Sequence, residues 1–273
     1  MPLGNSFYDA VAGALSRGDL NLPTLPDVAL KVDRMCQQDD VSAAALAGVI
    51  GKDPAIAVRL MRVANSAAFA GSQRVDNLYQ AIVRVGFSIT RRMVSALAME
   101  QMFDSDTPWL KDMLRKNWAR SVEVAACSQA LAQHYTRLNP AIAMLAGLMH
   151  DVGVLPIVRL AETQPQLRRE QIEEVIITSG PSIGWLLLRA WEFPPELVEV
   201  PGNCLDLTRE HEGPADYVDL VAVAILYSGN SGQGAAASTA TALTKLGVES
   251  IAALAAVEVL QASIAEARAV FKA

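Results

Sequence analysis

The sequence predicts an all-α protein built from two packed helical halves, and three observations lead to this prediction. Apolar residues recur at helical spacing along most of the 273 residues, whereas the alternation typical of strands is nearly absent. Helix start signals also recur, as at Asp53-Pro54 and Asn139-Pro140, where a side-chain acceptor precedes proline. A polar stretch at Asp104–Pro108 interrupts the helical pattern. We therefore expect residues 1–104 to form an N-terminal half and residues 105–273 a C-terminal half.

Start and stop signals define the expected helices of the N-terminal half. Pro26 opens the first, Ser42 can cap the second, and Asp53-Pro54 starts a third that runs to about Asn65-Ser66. A loop rich in Gly, Ser and Gln is expected at Ala70–Arg74. Two further helices follow, at Leu78–Val85 and Ile89–Met102.

The same signals divide the C-terminal half into a longer series of helices. The expected helices are Trp109–Tyr135, one from Asn139-Pro140 to His150-Asp151, Leu155–Ala161, Arg168–Thr178, Ser182–Trp191, a short helix from Pro194-Pro195 that ends before Pro201, Asp216–Tyr227 and Ser250–Phe271. A mobile small-residue loop is expected at Gly229–Ser238.

Composition excludes several classes of function. Hydrophobic residues make up 52% and charged residues 19%, which fits a helical protein with a large interior. The net charge of −6 disfavours nucleic-acid binding, because that binding depends on Lys and Arg neutralising phosphates. The apolar runs Ala141–Met149 and Val218–Tyr227 are too short or interrupted to span a bilayer, and the N-terminus does not read as a signal peptide. We therefore expect a cytoplasmic protein without nucleic-acid or membrane partners.

Cysteine and histidine usage limits the cofactors that the chain can hold. Cys36, Cys127 and Cys204 are widely spaced, which favours small core residues over disulfides or a zinc site. His150-Asp151, within Ala146–Gly153, is a dyad that can begin a metal site at a helix end. A catalytic divalent metal generally needs at least three protein ligands, and a dyad supplies two at best. We therefore expect no cofactor and no metal.

The other two histidines, His134 and His211, are poor candidates to complete such a site. His134 lies about four turns beyond Arg120 on the same predicted helix, roughly 20 Å away. His211 stands in a polar loop and is expected to be exposed.

A set of short motifs, in this order and with compatible spacing, resembles the HDOD family, a group of bacterial signalling modules related to the HD phosphohydrolases. The motifs are Leu22–Pro26, Asp53–Ala55, Arg59–Ala67, Ala81–Gly86, Ala146–Gly153, Gly184–Trp191 and Pro194–Val198. The resemblance covers about Leu22 to Tyr227. It implies an all-helical fold in two halves and a non-enzymatic output or adaptor domain. Its implied partners are signalling proteins such as response regulators, sensor kinases or components of cyclic-di-GMP networks.

The resemblance also implies where a metal would have been bound. The HD superfamily uses an upstream histidine, the His-Asp dyad and a downstream aspartate. Here the dyad matches His150-Asp151, whereas the upstream histidine maps to a segment that contains Arg120. The downstream aspartate maps within Val218–Tyr227, on apolar residues. Arg120, His150 and Asp151 are thus predicted to form a vestigial ligand pocket, with no catalytic residue and no metal.

Three functional hypotheses remain open at this point. The first is an adaptor that acts by protein–protein interaction, with an Arg120–Asp151 ion pair in place of the metal and interaction surfaces on Leu22–Val85 and the final helix. The second is a divergent metal-dependent phosphohydrolase or phosphodiesterase that uses His150-Asp151 and recruits Asp219, His211 or Glu123. The third is a sensor of an anionic nucleotide, centred on Arg120.

Overall fold

The structure is a computed structural model that describes residues 26–38, 40–66, 73–164, 166–229 and 241–271, together with Asp9, Gly13 and Phe69. Over these residues the chain forms helices and turns and no strand, which confirms the all-α prediction. In the N-terminal part the helices are α1 (Asp27–Cys36), α2 (Ala43–Ile50), α3 (Pro54–Ala64), α4 (Leu78–Val85) and α5 (Phe87–Met99), followed by a 3-10 turn at Glu100–Met102. The expected loop at Ala70–Arg74 lies largely outside the described residues.

The C-terminal part continues with two long helices and several short ones. They are α6 (Pro108–Tyr135), α7 (Pro140–Met149), α8 (Val154–Glu162), α9 (Arg169–Ala190), α10 (Pro195–Asn203), α11 (Tyr217–Tyr227), α12 (Thr241–Lys245), α13 (Ile251–Ala255) and α14 (Glu258–Ala269). Beyond Gly229, the expected loop Gly229–Ser238 lies outside the described residues.

The predicted helix starts are confirmed where a polar side chain caps the first turn. The side chain of Ser42 accepts a hydrogen bond from the Ala45 amide at 3.2 Å, and that of Asp53 accepts one from Ile56 at 3.1 Å. Asn139 Oδ1 accepts from the Ala141 amide at 2.9 Å, immediately before Pro140. These bonds satisfy amides that have no partner inside the helix, so they fix the first residue of each helix.

Two prolines that were expected to separate helices lie inside them instead. The predicted helices Arg168–Thr178 and Ser182–Trp191 form the single helix α9 around Pro181, and α10 continues through Pro201 to Asn203. Pro181 leaves the carbonyl of Ile177 without its intrahelical donor. Ile177 is 75% exposed, so water can solvate that carbonyl and the helix continues.

The final predicted helix, Ser250–Phe271, is two helices rather than one. Helix α13 ends at Ala255, and Val257 has an extended backbone before α14 begins. The side chain of Gln261 donates a hydrogen bond to the Ala255 carbonyl, so a carbonyl in the last turn of α13 gains a donor that the helix itself does not supply. The break turns α14 back along α6, where Phe271 packs edge-on against Trp118 with ring centroids 6.4 Å apart.

The buried residues form one hydrophobic cluster that runs through both parts of the chain. Polar contacts also cross residue 104, as where Ser105 Oγ donates to Glu162 and where Arg92 on α5 lies 3.6 Å from Glu196 on α10. The division into residues 1–104 and 105–273 stays a prediction.

One helical stretch, Pro140–Glu162, is long and apolar enough to cross a membrane by length and composition. In the structure 89% of its most apolar window is buried inside the protein. This is the behaviour of a core helix, and it places α7 and α8 at the centre of the fold.

Candidate functional site

Helices α6 and α7 pack against each other at very close range, and this contact positions the predicted site. A Cβ atom on Gly147 would lie 2.6 Å from the Cα of Ala125 and 2.8 Å from the Val124 carbonyl oxygen. Only glycine allows this approach, because any side chain would meet backbone that cannot move aside. The end of α7 is thereby held against the middle of α6.

His150 stands at the C-terminal end of α7 and is buried. Its Nδ1 lies 2.8 Å from the Gly147 carbonyl oxygen, a contact that orients the ring and directs Nε2 away from the helix. Burial lowers the pKa of His150 below its usual range, although the charge of Asp151 and the Gly147 contact act in the opposite direction. The folded protein therefore favours a neutral imidazole.

Asp151 is held by two side chains from α6. Arg120 Nη2 donates to Asp151 Oδ2 at 3.0 Å, and Asn117 Nδ2 donates a short hydrogen bond to the same oxygen. The predicted ion pair between Arg120 and Asp151 is thus present and joins α6 to the turn after α7. Asn117 was not predicted as a partner, although its position one helical turn before Arg120 places both side chains on the same face.

Cys204, which follows α10, lies close enough to the dyad for the charge of Asp151 to act on its thiol. Burial, together with the charge of Asp151, raises the pKa of its thiol to about 12. Burial likewise raises the pKa of Cys127 to about 12. Both thiols therefore stay protonated and unreactive at neutral pH, which agrees with their predicted role as small core residues.

The turn that carries the dyad is packed as tightly as α7 itself. A Cβ atom on Gly153 would lie 2.0 Å from the Gly180 carbonyl oxygen and 2.8 Å from the Gly184 amide nitrogen, both on α9. Gly184 is in turn confined by Pro201 of α10. The dyad therefore sits where α6, α7, α9 and α10 meet.

A second polar cluster surrounds the start of α11. His211 Nε2 lies 2.8 Å from Asp219 Oδ2, and Arg209 donates to Asp216 at 2.7 Å and to Asp219 at 3.3 Å. Lys245 Nζ donates to the His211 carbonyl at 2.7 Å. His211 was expected to be exposed, but its side chain is only 19% exposed because these groups enclose it.

One ligand atom each from His211, Asp216 and Asp219 lie within 4.8 Å of one another, a spacing that could suit a metal ion. The guanidinium of Arg209, however, donates to both carboxylates. Burial alone would raise the pKa of Asp216, but the hydrogen bonds from Arg209 and the Asp219 amide outweigh it and lower that pKa below its usual value. Arg209 supplies the positive charge of this cluster, and the cluster is an ion-pair network.

The second cluster cannot complete the first. The hydroxyl of Tyr217, at the start of α11, accepts from the Asn139 amide, so the second cluster lies near the start of α7. The dyad lies at the other end of this ten-residue helix, roughly 15 Å away at 1.5 Å per residue. Glu123, the third residue considered for recruitment, is paired with Arg268.

Stability at mildly acid pH should report on the buried neutral His150. Below the unfolded pKa of about 6.5, the unfolded chain binds a proton that folded His150 resists, so the free energy of unfolding falls as pH drops from there. The contribution approaches roughly 1.4 kcal/mol per pH unit until the folded pKa is reached. Chemical denaturation between about pH 7.5 and 5.5 measures the free energy of unfolding. This free energy should change less steeply with pH in His150→Gln than in the exposed control His134→Gln. An identical dependence in the two variants would contradict this prediction.

An all-helical fold with a His-Asp dyad at a helix end defines a relative of the HD superfamily. The family model of the HDOD domain matches residues 22–203, and the chain belongs to the HDOD family.

Solved structures share this fold. One from Shewanella amazonensis SB2B, described as a putative metal-dependent phosphohydrolase, is 28% identical, covers 100% of both chains and has a TM-score of 0.87. An HDOD domain protein of unknown function from Geobacter sulfurreducens is 21% identical over 95% of each chain, with a TM-score of 0.60.

Among protein sequences, an uncharacterised protein from Treponema pallidum is 22% identical over 190 residues, which are 65% of this chain and 36% of that protein. The chain thus spans only about a third of the length of this last relative.

The residues at the dyad do not fit the divalent metal that the HD superfamily implies. Arg120 and Asn117 both donate to Oδ2 of Asp151, which leaves Oδ1 as the oxygen that could face a metal, and the guanidinium of Arg120 stands beside this carboxylate. A divalent cation bound to Asp151 would be repelled by this fixed charge with an energy of the order of a few kcal/mol. His150 and Asp151 alone leave the ligand set incomplete.

Proposed function

We propose that this chain is a signalling domain that acts through protein–protein contacts and catalyses no reaction at the dyad. The observation that supports this most directly is the position of Arg120, whose fixed positive charge pairs with Asp151 beside the place where a metal would bind. Membership of the HDOD family supports a role in signal transduction. The candidate partners are signalling proteins, such as response regulators, sensor kinases or components of cyclic-di-GMP networks.

Exposed apolar side chains support the proposed mode of action. Of the eight large apolar residues that are exposed within the described ranges, Val58, Tyr79, Val83 and Phe87 lie on α3 to α5. Tyr79 and Val83 are one turn apart on α4 and share a face. Exposed apolar side chains that share a face are typical of protein-binding sites. Val58, Tyr79 and Val83 lie within the range Leu22–Val85 that was expected to carry an interaction surface, and Phe87 lies just beyond it.

A hydrolysis assay tests the absence of catalysis. Bis(p-nitrophenyl) phosphate, with added manganese, iron or zinc, should be hydrolysed no faster by the wild-type protein than by His150→Ala, because no metal-bound nucleophile forms at the dyad. The matched control is His134→Ala, whose histidine is exposed and bonded to Ser263. Turnover that is lost in His150→Ala and kept in His134→Ala would contradict the proposal.

The same assay decides the alternative, a divergent metal-dependent phosphohydrolase. Two observations favour that alternative: the retained dyad with His150 oriented through Nδ1, and the likeness to the Shewanella amazonensis structure. It would require a metal to bind Oδ1 of Asp151 next to the guanidinium of Arg120, or Arg120 to release Asp151. The adaptor function is preferred because it requires neither a divalent cation beside this charge nor a rearrangement.

A further inference from the structure

A cleft of about 1250 Å³ lies between the N-terminal helices and the final helix. One wall consists of the C-terminal half of α3 and the segment 73–78, and the other is the end of α14. The surface of the cleft is apolar at Val58, Met61, Leu78 and Val270. Pockets for small molecules usually measure about 300–1,000 Å³, so this cleft has room for a segment of polypeptide.

Three arginines line this cleft: Arg62, Arg74 and Arg84. None of them is ion-paired within the described part of the chain, in contrast with Arg59 and Arg92, which pair with glutamates. Arg74 is exposed. Two carboxylates, those of Asp76 and Glu266, also line the cleft, so its lining carries an excess of one positive charge on a protein whose net charge is −6.

Two of these guanidinium groups are held in place by backbone carbonyls. Arg84 donates to the Ala64 carbonyl at 3.2 Å and also to that of Gln73, while Arg62 donates to the Ala269 carbonyl at 3.2 Å. Asn65 fixes the adjoining segment, because its side chain bonds both the amide and the carbonyl of Val75 at 2.9 Å. A guanidinium has five N–H donors, so each of these arginines keeps donors for a carboxylate while its position is already fixed.

We propose that this cleft binds an acidic peptide segment of a partner protein, with an apolar residue of the segment against Val58 and Met61. The inference rests on the proposed adaptor function and names its binding site. Charge complementarity favours this occupant, since the three arginines outnumber the two carboxylates of the cleft and form no ion pair with a described residue, while the apolar wall offers a surface for an anchor. Met61 adapts its shape to different anchors. One wall of the cleft belongs to the N-terminal part of the chain and the other to the final helix. A bound peptide contacts both walls, so its affinity depends on the distance between them.

Selection from a displayed library of random peptides of about twelve residues, against the full-length chain, tests the proposal. The enriched peptides should combine Asp or Glu with a large apolar residue. Their affinity, measured by fluorescence anisotropy, should fall about tenfold or more in Arg74→Glu and should weaken as salt is raised. Val58→Glu should also weaken binding, because it removes apolar surface and adds a like charge. The matched control is Arg115→Glu, a reversal of an exposed charge on α6 that should leave affinity unchanged.

Three results would contradict the proposed peptide-binding cleft, and each has a different consequence for the adaptor function. Enrichment of neutral or basic peptides, or no enrichment, would overturn the proposal. Peptides that bind equally to Arg74→Glu but are lost in Tyr79→Glu would place the interaction on α4, so that the adaptor function stands and the cleft proposal fails. A dimer of the chain that dissociates in Arg74→Glu would identify a second copy as the occupant and would also overturn it.

Discussion

Replacing Gly153 with alanine is expected to lower the free energy of unfolding by about 4 kcal/mol or more. The added Cβ would lie 2.0 Å from the Gly180 carbonyl oxygen and 2.8 Å from the Gly184 amide nitrogen. Both are backbone atoms of α9, so the helix itself must shift. Thermal and denaturant unfolding of the purified variant would measure the loss, and the variant could fail to accumulate as a folded protein.

Gly48→Ala is the matched control for this substitution. Gly48 lies within α2, and a Cβ there meets nothing within 4 Å. Alanine should therefore stabilise the protein by about 0.5–1 kcal/mol, since it favours the helix. If Gly153→Ala were as stable as the wild type, the close contact between the dyad turn and α9 would be wrong.

Replacing Arg209 with alanine is expected to cost about 2–4 kcal/mol of stability. The side chain of Asp219 is only 3% exposed, and without Arg209 its carboxylate keeps His211 and the Asp216 amide as partners. Leaving the buried carboxylate of Asp219 without the cation Arg209 lowers the free energy of unfolding by more than an exposed ion pair contributes to it.

The matched control is Arg169→Ala, which removes an ion pair with Glu173 in which both side chains are nearly half exposed. Such exposed pairs contribute about 0.2–1 kcal/mol. Denaturant unfolding should separate the two variants clearly. Similar losses of unfolding free energy in the two variants would show that the ion pairs around Asp219 contribute no more to stability than an exposed pair does.

The helices could be predicted largely from the sequence because their starts are encoded locally. Ser42, Asp53 and Asn139 each bond amides within three residues, so the cap and its helix are visible together in the sequence. The continuation of α9 through Pro181 could not be predicted in this way. It depends on the exposure of Ile177 to solvent, which only the packed structure determines.

The site was predicted in part. The Arg120–Asp151 contact followed from the family resemblance, which placed Arg120 at a ligand position. The burial of His211 was missed because it arises from contacts with Asp219 and Lys245, which lie 8 and 34 residues away along the chain. A polar loop looks the same in sequence whether or not distant residues enclose it. Interaction surfaces were expected on Leu22–Val85 and on the final helix, but the sequence does not show that Arg62 and Val270 line one cleft, since its two walls lie far apart along the chain.

In the proposed function, Arg120 takes the place of a metal at the dyad. The direct measurement is the metal content of the purified protein, expressed with added manganese, iron and zinc, by elemental mass spectrometry. We expect less than about a tenth of a metal ion per wild-type chain, and a rise toward about one in Arg120→His, which supplies a third ligand and removes the fixed charge. A full equivalent of metal in the wild-type protein, lost in His150→Ala, would contradict the account.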